Sequence, residues 1–297
     1  MTSWSEPSLA EGLAGESPEV VRKDLPEIEI VGGPGRLTRD SLRELWLFRE
    51  VLLAFAVRTI KVTYKQAAIG IGWALIRPLL AALLFTVFLH KVAKVGGEKP
   101  YFLFALAGTS AWTYFNGAAS SAMESLVGNS PILRKVYFPR EVLPLAAVVA
   151  ALVDLAIQLG ILVIAAILYG RYPNVTWLAV PLPLLLLVLA AAALGIAVSG
   201  LNVYYRDVRY ALPFVLQLGL FASPVVYPLS KVPDGWRTPY SIFNPIAAAI
   251  DSIRRPLLHH AWPQWEILAG ATGWTLLLFV LGYILFKRLE RDFADRV

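Results

Sequence analysis

Between Ala67 and Leu89 the chain carries a single charged residue, Arg77. About 20 apolar residues in a row are enough to cross the hydrocarbon core of a bilayer, so this stretch fits a transmembrane helix. The residues just before it have a different character. In Leu42–Gln66, Leu45, Phe48, Leu52 and Phe55 recur every three or four positions, which puts them on one helical face. Arg58, Lys61 and Lys65 share that spacing and form a basic stripe. Such a helix is too charged to cross a bilayer. It suits the membrane interface, with Lys and Arg toward anionic headgroups and Trp46, Phe48 and Phe55 toward the acyl chains. The alternative is an ordinary amphipathic helix of a soluble domain. Gly70 and Gly72 allow the chain to bend between the two segments.

The pattern of long apolar runs repeats along the chain. Hydrophobic residues make up 57% of the sequence and charged residues 16%, where a soluble domain carries roughly a quarter charged. The expected fold is an all-α polytopic membrane protein with six transmembrane helices, near Ala67–Leu89, Tyr101–Leu126, Val142–Tyr169, Trp177–Leu201, Tyr210–Tyr227 and Glu266–Phe286. Residues 1–36 read as a disordered or loosely docked tail without the apolar core of a signal peptide, residues 37–66 as the interfacial helix, and residues 67–297 as the membrane domain. The longest connection, Pro228–Trp265, contains Pro245–Leu258, which looks helical and is too short to span. It fits a short helix that re-enters the membrane beside a cavity, or one resting on the surface.

The net charge of +6 comes from basic residues that flank apolar runs, so it points to cytoplasmic loops rather than to nucleic acid. If both termini share a side, that side holds 18 of the 27 Lys and Arg residues and the other holds 8, with Arg77 inside a span. The positive-inside rule then makes both termini cytoplasmic and turns Pro228–Trp265 outward. The absence of Cys excludes disulfides, thiol catalysis and thiolate metal sites. No internal repeat stands out, which weakens the case for a transporter built of two inverted halves.

No catalytic constellation is visible. His90, His259 and His260 lack metal-ligand spacing, and Gly32–Arg36 is only superficially like a phosphate-binding loop. Any ATP-driven work would need an ATPase on another chain. Two loops are rich in basic and aromatic residues: Asn129–Arg140, with Arg134, Lys135, Tyr137 and Phe138, and Asn202–Tyr210, with Arg206, Asp207 and Arg209. Arg and aromatics are enriched where one protein grips another. Headgroup anchoring by Tyr beside positive-inside Arg is the alternative. Arg77 is either a guanidinium aimed at phosphate or a side chain that snorkels to the surface. Asp154 and Gln158 share a helical face. A lone carboxylate in a span can relay protons, but is more often hydrogen-bonded within the bundle.

In order, the amphipathic helix, KVTYKQAAIGIGWALIRPLL, NSPILRKVYFPREVLP, LNVYYRDVRY, SPVVYP and FNPIAAAIDSIRRPLL resemble the permease subunit of type-2 ATP-binding-cassette exporters. The likeness runs from about Leu37 to the C-terminus and is strongest to exporters of O-antigen, capsule, teichoic acid and galactan. It implies six spans per chain, two chains side by side with a channel between them, short re-entrant helices between spans five and six, and a bacterial inner-membrane location. It implies two partner ATPase chains that bind ATP and Mg, with no cofactor in this chain and no enzymatic activity of its own. By the same resemblance, Arg134, Lys135, Tyr137, Phe138, Arg206, Asp207 and Arg209 would couple to the ATPase. Lys61, Tyr64 and Arg77 would meet the headgroup of a lipid-pyrophosphate-linked glycan.

A polymer longer than the membrane is thick needs a continuous path. Amphipathic aromatics suit the apolar faces and hydroxyl edges of sugars. Trp73, Phe88, Trp112, Tyr114 and Phe115 are the candidate channel liners. The competing functions are export of a small lipid or drug by the same architecture, a proton-coupled secondary transporter using Asp154, and a membrane enzyme acting on polyprenyl phosphate. The last would need clustered carboxylates or His on one membrane face, which the sequence lacks.

Overall fold

A computed structural model describes residues 39–65, 72–92, 100–133, 135–290 and 293. The tail 1–36, the glycine-bearing join at 66–71 and Arg134 lie outside these residues. The described chain is helical. α1 (Arg39–Leu47) and α2 (Arg49–Lys65) precede α3 (Gly72–Phe85), which continues into a π-helical turn, Thr86–Val92. α4 (Tyr101–Gly128) and the single-turn α5 (Ser130–Leu133) follow, then α6 (Val142–Ala150) and α7 (Leu152–Leu168). A 3-10 turn at Val175–Ala179 leads into α8 (Pro181–Tyr204), and α9 (Val208–Ala222) comes next. The chain ends with α10 (Asp234–Phe243), α11 (Pro245–His259) and α12 (Trp265–Glu290).

Among the described residues, length and hydropathy single out four stretches able to cross a membrane: Gly72–Leu89, Val142–Leu168, Val175–Tyr204 and Trp265–Glu290. The other two expected spans differ from these. α9 has 15 residues, which at ~1.5 Å each reach about 22 Å, short of a ~30 Å core. α4 has 28 residues and polar side chains at Thr109, Ser110, Asn116, Ser120, Ser121 and Glu124. It runs through the middle of the bundle, against α3, α6, α7, α8, α9 and α11.

The packing follows side-chain size. α8 opens on a leucine run and continues with small residues, Ala190–Ala193, Gly195, Ala197, Ser199 and Gly200. Small residues let backbones come close where lipid offers no hydrophobic drive between helices. α4 and α12 both pack on this part of the chain. At Gly282 of α12, an added Cβ would stand 3.0 Å from the Ala193 carbonyl oxygen and 3.2 Å from the Ala197 side chain.

The face of Leu45, Phe48, Leu52 and Phe55 is a packing face, as its spacing predicts, but it faces protein. These residues pack against a cluster that includes Leu126, Phe138, Val142 and Phe286. Phe48 and Phe55 therefore do not turn toward acyl chains, because α6 and the loop before it occupy that side. Trp46 is the exception. It is 69% exposed, with the Arg49 guanidinium 5.2 Å from its ring.

α11 is set into the bundle rather than resting on it. Ala247–Ile250, Ser252–Arg254 and Pro256–Leu258 are buried, against α4, α8 and α12. Its ends are specified locally. The Asn244 side chain accepts from the Ala247 N–H at 3.1 Å, with Pro245 at the first helical position. At the other end His260 adopts a left-handed conformation, φ 53°, and the Ala261 N–H returns to the Arg255 carbonyl at 3.1 Å.

Candidate functional site

The loops that the sequence singles out meet at one end of the bundle. Asn202 Nδ2 donates to the Met123 carbonyl at 3.0 Å, tying the end of α8 to α4. Arg209 Nε lies 3.5 Å from Glu124 Oε1. A cavity of about 500 Å³ opens there, lined among others by Gly128 at the end of α4, Ser130 of the first loop and Arg206 and Arg209 of the second. Arg206, Asp207 and Arg209 are exposed. Exposed pairs such as Arg209–Glu124 contribute little stability, so these charges remain available to another surface.

Loop 129–141 is held at its base and open at its tip. Lys135 and Tyr137 are exposed, whereas Phe138 is 5% exposed. The Phe138 ring lies 5.4 Å from that of Phe55 on α2. Arg58 of α2 donates to Asn129 Oδ1 at 2.8 Å. On the other side, the Arg140 guanidinium donates to the Glu290 carbonyl at 2.8 Å and lies 5.6 Å from the Phe293 ring. Phe138 thus joins loop to helix and is itself buried.

The residue after Arg140 was not among the sequence candidates. Glu141 is 1% exposed. Its carboxylate accepts from Tyr283 Oη and from Lys287 Nζ, both at 2.9 Å, and Lys287 also reaches Glu290 at 2.9 Å. Glu44 of α1 stands in the same group. Burial, then the charge of Glu141, pushes its carboxyl above the usual range. The amphipathic segment, the first loop and the end of α12 are thus fastened together. Glu141 and Lys287 stand 146 positions apart, and nothing in the sequence between them announces the pair.

At the far end of α2, Tyr64 donates to the Asp154 carboxylate of α7. Burial, then the bond to Asp154 and its charge, pushes the phenol well above its usual range. Tyr64 stays a donor. The Arg77 guanidinium is close enough to act on Tyr64 electrostatically, and lies 6.0 Å from the Trp73 ring. The structure thus brings Tyr64, Arg77, Trp73 and Asp154 together. Arg77 and Trp73 are exposed, and so is Lys61, which lies beside Leu53, Val57 and Arg58 on the outer face of α2. Asp154 is a hydrogen-bonded carboxylate, the second of its two expected states.

The candidate channel liners divide. Trp73 and Phe88 are 45% and 60% exposed, but Trp112, Tyr114 and Phe115 are 4%, 1% and 5% exposed. The three α4 rings fill the core of the chain, and α9 passes over Trp112 at Gly219. They present no surface to a path, because α4 is the helix on which the others pack.

The other end of the bundle holds a charged group that the sequence presents as an ordinary loop cation. Arg254 is 3% exposed. Its guanidinium donates to the carbonyls of Phe104 (3.0 and 3.2 Å), Pro224 (2.6 Å) and Val225 (2.5 Å), and lies 3.5 Å from the Phe104 ring. One side chain therefore joins α11, α4 and the turn after α9. Gly108 makes room for it, since an added Cβ would overlap both the Val225 oxygen and the guanidinium.

The chain is 26% identical to the O-antigen export system permease protein RfbA of Myxococcus xanthus over 260 residues, covering 86% of this chain and 98% of that protein. It is also 26% identical to an O-antigen export system permease protein RfbA of Klebsiella pneumoniae over 249 residues, covering 83% and 94%. The family model described as ABC-2 type transporter matches residues 50–258, from the first turn of α2 to the end of α11. The chain belongs to the ABC-2 type transporter family, as a multi-pass membrane component.

Proposed function

We propose that the chain is the membrane-spanning subunit of an ATP-driven exporter. Its cargo is a polyprenyl-pyrophosphate-linked polysaccharide of the O-antigen kind, moved out across the bacterial cytoplasmic membrane. The similarity to permeases named for O-antigen export, which extends over more than four-fifths of this chain, carries the reading. In this account the subunit crosses the membrane six times, with α4 and α9 among the spans and α10 and α11 re-entering from outside. Both termini are cytoplasmic, residues 37–66 lie at the interface, and two copies enclose the path. Two partner ATPase chains bind ATP and Mg.

The geometry supports a division of labour. Lys135, Tyr137, Arg206, Asp207 and Arg209 form the surface that meets the ATPase, with Arg134 beside them in sequence. Phe138 and Glu141 pass the push inward, to α2 through Phe55 and to α12 through Lys287. Arg77 and Lys61 receive the pyrophosphate, since guanidinium and ammonium donors suit phosphate oxygens, and Tyr64, its O–H given to Asp154, holds α2 beside them. Trp73 and Phe88 line the path. A secondary transporter that relays protons through Asp154 fits less well, because Tyr64 already occupies the carboxylate.

Deleting this chain in its host tests the reading. The lipid-linked glycan should accumulate in the cytoplasm and vanish from the cell surface. Unchanged surface glycan in the deletion strain would refute it.

A further inference from the structure

A second cavity, of about 490 Å³, lies between α10, α11 and the start of α12. Phe104 lines it, twenty residues along α4 from Glu124. At ~1.5 Å per residue that places it about 30 Å from the loop end of the bundle, at the opposite mouth. Its size is typical of a pocket for a small organic ligand.

Its chemistry is specific. Arg237 pairs with Asp234, and its guanidinium also donates to the carbonyls of Val232 (2.7 Å) and Ser230 (2.6 Å). Arg255 Nε lies 2.8 Å from Asp251 Oδ2. Arg254 is committed to the carbonyls described above. Two of the three positive charges are thus matched by carboxylates and the third is spent on backbone oxygens. A free anion would find one net positive charge, on a guanidinium whose donors are already taken by backbone oxygens. The walls instead offer acceptors beside donors: Asp251 next to Arg255, then Thr238 and Gln264. Each sugar hydroxyl is both a donor and an acceptor, and a row of paired acceptors and donors answers that pattern. Leu229 and Ile267 add apolar wall for ring C–H groups. Arg237, Arg255 and Asp251 are already pinned by these pairs, so little of their freedom is lost when a ligand arrives.

We propose that this cavity is a carbohydrate subsite at the outer mouth, taking one or two neutral sugar rings of the exported chain. The inference rests on the export reading for its ligand and on the cavity for its place.

The test uses the complete assembly with its ATPase in lipid nanodiscs. The probe is glycan released from the host's lipid-linked precursor by mild acid, free of lipid and of pyrophosphate. Saturation-transfer NMR should show contact with the sugar ring protons. Asp251→Asn, which keeps the cavity's volume, and Thr238→Trp, which fills its exposed side, should each weaken binding about ten-fold, the value of a hydrogen bond to a charged group. Basal ATP hydrolysis should not change in either variant. Absence of transfer in the unaltered assembly, or transfer in both variants equal to that in the unaltered assembly, would overturn the subsite. Displacement of the glycan by millimolar inorganic phosphate would also overturn it, in favour of an anion site. ATPase stimulation by the intact lipid-linked glycan is measured in parallel. Its loss counts against the export reading alone, and its persistence without saturation transfer counts against the subsite alone.

Discussion

Lys287, near the end of α12, reaches across to the buried carboxylate of Glu141 at the root of the first loop, 2.9 Å away. Tyr283, one turn earlier, donates to the same carboxylate. A charge as buried as Glu141 is tolerated only when paired and hydrogen-bonded, and removing one partner leaves the other costly. Lys287→Met should therefore destabilise the protein by about 3–5 kcal/mol. Glu141→Gln should lower the melting temperature in detergent by less, since the amide can still accept from Tyr283. A melting curve for Lys287→Met indistinguishable from the parent would show that the pair does not hold the loop.

The tip and the base of that loop should separate in mutagenesis. Phe138→Ala deletes a buried ring tilted against Phe55 and should cost about 3–5 kcal/mol. Tyr137→Ala removes an exposed ring and its hydrogen bond to Glu44, and should cost no more than about 1 kcal/mol. Co-purification of the ATPase should drop with Tyr137→Ala. Retained co-purification in that variant would take Tyr137 out of the docking surface.

Gly108→Ala tests the Arg254 joint. The methyl group would overlap the Val225 oxygen and the guanidinium, whereas a Cβ at Gly117, nine residues on in α4, meets nothing within 4 Å. Overpacking costs about 1–3 kcal/mol. Gly108→Ala should melt lower, while Gly117→Ala should melt at or above the parent, since alanine favours the helix. Equal melting of the two variants would contradict the joint.

The cluster at the end of α2 predicts a functional split. Tyr64→Phe removes a donor to Asp154, a bond to a charged group worth about 1.5–3 kcal/mol. Arg77→Ala leaves the fold intact, because the side chain is exposed. It should raise the concentration of lipid-linked glycan needed for half-maximal ATPase stimulation and leave basal hydrolysis alone. Stimulation with an unchanged midpoint would remove Arg77 from the headgroup site.

The sequence reveals the helices because apolar runs and three-to-four spacing are local signals. The packing stripe from Leu45 to Phe55 is legible for that reason, although what it packs against is not. Which way the α4 aromatics turn is not legible either. α4 is apolar around most of its circumference, so no period separates an inner from an outer face, and Trp112, Tyr114 and Phe115 look as suited to a channel as to a core. Arg254 had a usable signal. It stands four residues after Ile250 and three before Leu257, both buried, on the face that packs inward. Counting it as a surface cation used its charge and ignored its helical position. Glu141 and Lys287 had none, because long-range pairing appears only once the helices are assembled.

The most direct test of the export reading is translocation itself. Inverted membrane vesicles carrying this chain and its ATPase are loaded from the cytoplasmic face with radiolabelled lipid-linked glycan. ATP should drive the glycan into the lumen, and a hydrolysis-dead ATPase should abolish this. Accumulation that is equal without ATP, or with this chain deleted, would contradict the account.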